Sequence, residues 1–208
     1  VAAEGLIYEE FNPAYHVVDK SSVPMSWPRF WSIDFGFNHP FVLQCWAEDP
    51  DGRLYLYKEI YHTQRTVDEH AETILRATER DPKPQFILAD HDAENRARFE
   101  NKIGQGTRLA DKRVLHGIQM VQARLKVQKD GMPRILLMRD AVIDVDLSQK
   151  DAGKPASTLE EITSYVWAKS DSPGKKEQPV KLNDDGMDAM RYICAERDPM
   201  LLPKIRFM

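Results

Sequence analysis

Cysteine is scarce, with only two in 208 residues. Cys45 falls in an expected strand and Cys194 in an expected helix, far apart along the chain, so no disulfide framework is indicated and a reducing compartment fits. No apolar run approaches the ~20 residues that a membrane-spanning helix needs, which leaves no membrane among the expected partners. The opening Val1-Ala2-Ala3-Glu4 has neither an initiator Met nor the basic-then-apolar pattern of a secretory signal, and reads as the start of a piece of something longer. A surplus of positive charge is also missing, since 29 Lys and Arg stand against 33 Asp and Glu for a net charge of -4. Any contact with nucleic acid must therefore come from a local basic patch. The phosphate-binding pattern Gly-x-x-x-x-Gly-Lys-[Ser/Thr] occurs nowhere, which excludes a nucleotide-driven motor of that type from this chain.

What is present suffices for one core, with 42% hydrophobic residues. Residues 1–28 hold no sustained period and read as a lead-in that wraps on the domain. Phe30 to Asp34, Phe41 to Ala47 and Arg53 to Ile60 read as three strands in immediate succession, the last two joined by the turn Asp49-Pro50-Asp51-Gly52. A helix follows from about Thr66 to Arg80, then a short buried strand, Phe86 to Ala89, and a helix from Ala93 to Lys102. A further helix is expected from Gly117 to Lys129, stopped at Gly131, with Ile118, Val121, Leu125 and Val127 inward, before a strand from Arg134 to Met138. Leu147 to Ser157 and Lys169 to Pro179 read as mobile surface loops around a stretch, Leu159 to Trp167, that is apolar on one face. The last helix runs from about Asp184 to Ala195, and residues 199–208 form a tail. The aromatic residues Trp31, Phe35, Phe37, Phe41, Trp46, Tyr55 and Tyr57 are assigned to core and sheet faces. This order implies an α/β mixed sheet of RNase H-like (resolvase/integrase) type, opened by an antiparallel three-strand meander and flanked by helices, spanning residues 29–198.

Acidic residues stand at three boundaries of that order. Asp34 closes the first strand before Phe35-Gly36, where glycine permits a sharp turn and keeps a side chain out of the site. Asp90 closes the fourth, which neighbours the first in such a sheet, so both carboxylates fall at one edge. On the last helix Asp184, Asp185 and Asp188 are spaced to share a face. Like charges this close are tolerated when a cation neutralises them, and oxygen ligands select two Mg²⁺ or Mn²⁺ ions for phosphodiester hydrolysis. Simpler readings stand beside each piece. Asp-Phe-Gly is also a turn signal, Asp90-His91-Asp92 caps the following helix, Asn183, Asp184 or Asp185 caps the last one, and Asp188 pairs with Arg191 or bonds Tyr192.

Taken together, these motifs resemble the C-terminal nuclease domain of the large terminase subunit of tailed bacteriophages, over nearly the whole chain. Gly5-Leu6-Ile7-Tyr8 is similar to the lead-in after that family's ATPase domain, Ser32 to Gly36 to its first acidic motif and Ile87 to Glu94 to its second. Gly117 to Val121, Glu161 to Trp167 and Asn183 to Tyr192 resemble the remainder, the last being the most specific. The resemblance implies an endonuclease that cuts concatemeric double-stranded viral DNA. Its partners would be an N-terminal ATPase domain of the same protein, the portal and the small terminase subunit. It would work in the bacterial host cytoplasm and stay out of the mature virion. Asp34, Asp90, Asp185 and Asp188 would be its catalytic metal ligands. Family members differ at the position of Asp185, so both last-helix residues are kept, with Asp184, Asp92 and His91 as supporting or capping groups.

Phosphate contacts are expected from Lys102, Arg108, Lys112, Arg113, Lys175 and Lys176, each of which also reads as ordinary solvated charge. Competing readings are a resolvase, integrase or transposase domain, a fragment of an actin-like or sugar-kinase ATPase, and a non-catalytic DNA-binding module of a packaging complex. The ATPase fragment is disfavoured because the chain is too short for two lobes.

Overall fold

The computed structural model describes residues 3–19, 21–169 and 178–198. In chain order the elements begin with β1 (Ala3–Leu6), α1 (Pro13–His16) and β2 (Val17–Val18). Then come β3 (Arg29–Asp34), β4 (Phe41–Glu48) and β5 (Leu54–His62), followed by α2 (Val67–Ala77), β6 (Phe86–Ala89), α3 (Ala93–Ile103) and β7 (Arg108–Leu109). The remainder is α4 (Val114–Leu125), β8 (Ile135–Met138), α5 (Leu147–Asp151), α6 (Thr158–Glu161), β9 (Val166–Ala168) and α7 (Asp185–Arg197).

One seven-stranded sheet has the order β2-β8-β5-β4-β3-β6-β7. Strands β3, β4 and β5 pair antiparallel in succession, whereas β6 lies parallel to β3, β7 to β6, β8 to β5 and β2 to β8. The hairpin between β4 and β5 follows from local chemistry. Asp49 Oδ1 accepts the Asp51 and Arg53 amides at 2.9 and 2.8 Å, and Gly52 adopts the left-handed φ of 78° that closes the turn.

Strand β4 is buried along almost its whole length, so both faces must be covered. Successive side chains of a strand point to opposite faces. Phe41 stacks on His70 of α2 with ring centroids 4.0 Å apart, while Val42 packs with Tyr61 and Ala189 of α7. Helix α2 is fixed by a reciprocal cap, in which Thr66 accepts the Glu69 amide and Glu69 accepts the Thr66 amide. Helix α7 lies against β3, β4 and α4.

Several expectations are corrected. The helix expected at Gly117 to Lys129 begins at Val114 and ends at Leu125, so Gly131 belongs to a later turn and Val127 is exposed. Gly117 is an interior helix residue because a Cβ there would lie 2.8 Å from Cβ of Arg191 in α7. Leu147 to Ser157 is not wholly loop, since Asp146 accepts the Ser148 and Gln149 amides and starts the one-turn α5. Phe37, assigned to the core or a sheet face, is 51% exposed in the turn after β3. The first residues do more than wrap the domain: β2 extends the main sheet, and β1 pairs with β9 in a second, two-stranded sheet. Residues 199–208, Lys175 and Lys176 lie outside the described residues. Among the described residues no helix is long and apolar enough to cross a membrane.

Candidate metal centre

Parallel pairing of β3 with β6 sets Ile33 opposite Ala89, and the Asp90 amide donates to the Ile33 carbonyl at 3.2 Å. Asp34 and Asp90 therefore leave the sheet side by side at the same end of two adjacent strands. Gly36 lets the chain fold back there. A Cβ on it would sit 2.3 Å from the Pro40 carbonyl oxygen, so close backbone approach rather than a left-handed φ demands the glycine.

The third contribution comes from the start of α7. Asp184 occupies the residue before the helix but makes no side-chain capping bond, contrary to the capping expectation. Glu161 of α6 takes that role, accepting the Met187 amide at 2.7 Å and the Gly186 amide at 3.1 Å. The Tyr61 hydroxyl donates to the same carboxylate at 2.6 Å. Fully buried Glu161 has its carboxyl pushed well above the usual range by burial, opposed by these donors. Gly186 is needed because a Cβ would lie 2.7 Å from Thr158 Oγ1. Thr158 is fixed in turn by Gln44 at 2.7 Å and by Glu59, which accepts its amide at 2.7 Å. This buried lattice holds the helix start, and with it Asp185 and Asp188, against the sheet.

Each strand-end acid, and Asp188 with them, then finds its own protein partner. Tyr192 Oη donates to Asp34 Oδ1 at 2.9 Å, Arg191 forms an ion pair with Asp188 at 2.5 Å, and Lys112 Nζ lies 2.5 Å from Asp90 Oδ1. Burial raises the Asp34 carboxyl well above its ordinary range, with Asp188, Asp185 and Asp90 adding repulsion and Tyr192 opposing it. Asp185 is pushed up to about 6 by burial and by Asp184, against an opposite pull from His39. Asp188 is raised by burial, with Asp184 adding to the effect and Arg191 working against it. Asp90 differs. Burial pushes its carboxyl up, but the bond from Lys112 and the amide of His91 outweigh it, and the net shift is downward.

The donor set is all oxygen, which suits a hard divalent cation. Asp184 Oδ2 is buried with the charge of Lys181 3.4 Å away and no hydrogen-bond partner among the described residues, whereas Asp188 Oδ1 is held by Arg191. Among the described residues no three His, Cys, Asp or Glu side chains converge on one point; Asp34, Asp90 and Asp188 instead meet Tyr192, Lys112 and Arg191.

No protein-family profile matches the chain, and no curated protein does. Solved structures do. The large terminase of a thermophilic bacteriophage superposes over 94% of this chain with a TM-score of 0.74 and 27% identity, and it has been solved with ADP as well. The nuclease domain of the P22 large terminase matches at 19% identity with a TM-score of 0.64, covering 91% of each chain. The g2p (large terminase) nuclease domain of bacteriophage SPP1, solved with bound Mn, matches at 14% identity and a TM-score of 0.61, covering 92% of this chain and 98% of that one. This chain has the large-terminase nuclease fold. It spans 45% of the length of the thermophilic phage's terminase.

Within this terminase nuclease fold the basic residues separate. Lys112 alone of those expected to meet phosphate contacts the acidic group among the described residues. Lys102 pairs with Glu72 at 2.6 Å, and Arg113 with Asp111 at 2.5 Å. Arg108 pairs with Glu196 at 3.2 Å and stacks over the Phe86 ring. Asp92 caps α3 by accepting the Asn95 amide at 3.0 Å, as its simpler reading has it. His91 gives its amide to Asp90, and its Nε2 lies 3.0 Å from the Ala110 carbonyl oxygen. Tyr192 as the partner of Asp34, and Glu161 with Glu59, Gln44 and Thr158, were missed. The i, i+4 spacing from Asp188 put Tyr192 on the acidic face, but nothing local to Glu161 pointed to α7.

Proposed function

We propose that this chain is a metal-dependent endonuclease of RNase H-like type that cuts concatemeric double-stranded viral DNA during genome packaging. Asp34, Asp90, Asp185 and Asp188 hold two Mg²⁺ or Mn²⁺ ions in this reading. The observation that carries it is the gathering of carboxylates from two strand ends and one helix start in a buried setting, where three of the four are held above their ordinary pKa. That arrangement is costly for a metal-free protein and is relieved by divalent charge. When bound, such ions supply Lewis-acid charge and activate water for in-line displacement at phosphorus.

The chain's own residues have separate tasks. Tyr192 orients Asp34 through its hydroxyl, Arg191 restrains Asp188, and Glu161 holds the start of α7 so that Asp185 and Asp188 face the strand ends. Lys112 stands where it can meet a phosphate oxygen. Likeness to the longer terminase of the thermophilic phage, solved with ADP as well, supports an N-terminal ATPase domain in the whole protein. The portal and small terminase subunit are the further partners of this reading. The site of action is then the host cytoplasm, with the protein left out of the mature virion.

The test is incubation with supercoiled plasmid, with and without Mn²⁺ or Mg²⁺, alongside Asp34→Asn and Asp90→Asn. Cutting should require both the ion and each carboxylate. Cleavage that persists in either variant, or without metal, would overturn the mechanism. A second reading, a non-catalytic DNA-binding module, draws on the absence of three converged ligands among the described residues. DNA retention without strand cutting at any metal concentration would favour it.

A further inference from the structure

Among the described residues Lys112 is the one cation seated on the strand-end acids. It rises from the turn between β7 and α4, where β7 extends the sheet beside β6 through the pairs Leu88 with Arg108 and Ala89 with Leu109. That pairing fixes the start of the turn one strand away from Asp90. The ammonium reaches Asp90 Oδ1 at 2.5 Å, and the next charges that act on it are those of Asp34 and Asp188. A single positive charge thus faces carboxylates from all three elements that build the centre. The contact is accessible, with the Lys112 side chain 45% exposed and that of Asp90 22% exposed, so the lysine can leave without opening the core.

We infer that Lys112 is a built-in competitor for the cation: it neutralises Asp90 until a divalent ion arrives, then yields that carboxylate and turns to a phosphate of the DNA. The inference rests on the metal-centre reading and adds a regulation of that site. A flexible four-carbon stem and a compact ammonium suit such an exchange, since the same group pairs with carboxylate or phosphate as a point charge. Lys112 and the His91 amide both use Oδ1 of Asp90, so an ion approaching this carboxylate meets the ammonium's charge beside it, and metal affinity in the absence of DNA is held down while the pair persists. DNA phosphate, by taking the ammonium, raises it.

The test is calorimetric titration of Mn²⁺ into the DNA-free chain, comparing wild type with Lys112→Met, Lys112→Arg and Asp90→Asn. Lys112→Met should bind Mn²⁺ about two- to fivefold tighter, the range expected when a partly exposed ion pair no longer competes. Lys112→Arg, which keeps the charge and can pair Asp90 through two N–H groups, should bind Mn²⁺ no tighter than wild type. Equal or weaker binding by Lys112→Met, with affinity lost in Asp90→Asn, would overturn the role of Lys112 and leave the metal centre standing. Binding unaffected by Asp90→Asn, or absent in every variant, would overturn the metal-centre reading and this inference with it.

Discussion

Tyr192 donates its hydroxyl to Asp34 across 2.9 Å, joining the last helix to the first strand of the antiparallel set. Both groups are largely buried, and the bond lowers the carboxyl that burial and its acidic neighbours raise. The tyrosine thus orients one oxygen of Asp34 while stabilising its charge.

Tyr192→Phe should therefore lift the Asp34 carboxyl further. The acid limb of the cleavage pH profile should move to higher pH. Stability should fall by about 1 kcal/mol, the usual worth of one intramolecular hydrogen bond. Cleavage across a pH series and urea unfolding check the two parts separately, and an unchanged acid limb would remove Tyr192 from the site's chemistry.

Asp185 titrates with consequences for folding. Its carboxyl keeps its proton in the folded chain to about pH 6, whereas its ordinary value is 3.8. Between those values the folded state binds more protons than the unfolded, so stability falls as pH rises through the window, and the loss is complete above about 6. Asp185→Asn should make this slope shallower, leaving the part that Asp34 and Asp188 contribute, and should be more stable than wild type at pH 7 by an amount on the order of 2 kcal/mol. Thermal unfolding from pH 4 to pH 8 without divalent ions measures it, and parallel curves for the two proteins would refute the assignment.

Glu161→Ala would orphan the amides of Gly186 and Met187 and the hydroxyl of Tyr61 in a fully buried place. A loss of about 2–4 kcal/mol is expected, because buried donors left unpaired bear their whole desolvation penalty. Glu161→Gln retains an acceptor for Met187 and should lose less. Denaturant unfolding ranks the variants, and amide hydrogen exchange at Gly186 and Met187 should quicken first.

Much of the architecture was readable along the chain because its causes act over a few residues. The Asp49 to Gly52 turn, the Thr66 cap with Glu69 and the Asp92 cap are set by side chains bonding amides two to four positions away. Alternation and burial then put Asp34 and Asp90 at strand ends. The bounds of α4 escaped this reading, since Gly117 looks like a poor interior residue until Arg191 is seen to occupy the space of a Cβ. The one-turn α5 escaped too, because its capping residue Asp146 is also held by Thr63, 83 positions earlier.

What the sequence by itself determined was which residue types stand at which element ends: Asp34, Asp90 and the acids of the last helix. What only the tertiary structure decided was how they are partnered. Tyr192 serves Asp34 across 158 positions, Glu161 rather than Asp184 caps α7, and Lys112 rather than Lys102, Arg108 or Arg113 meets Asp90. Each of those choices depends on distances set by sheet order and helix packing, and a hydrogen bond or ion pair between residues remote in sequence leaves no local pattern from which it can be read.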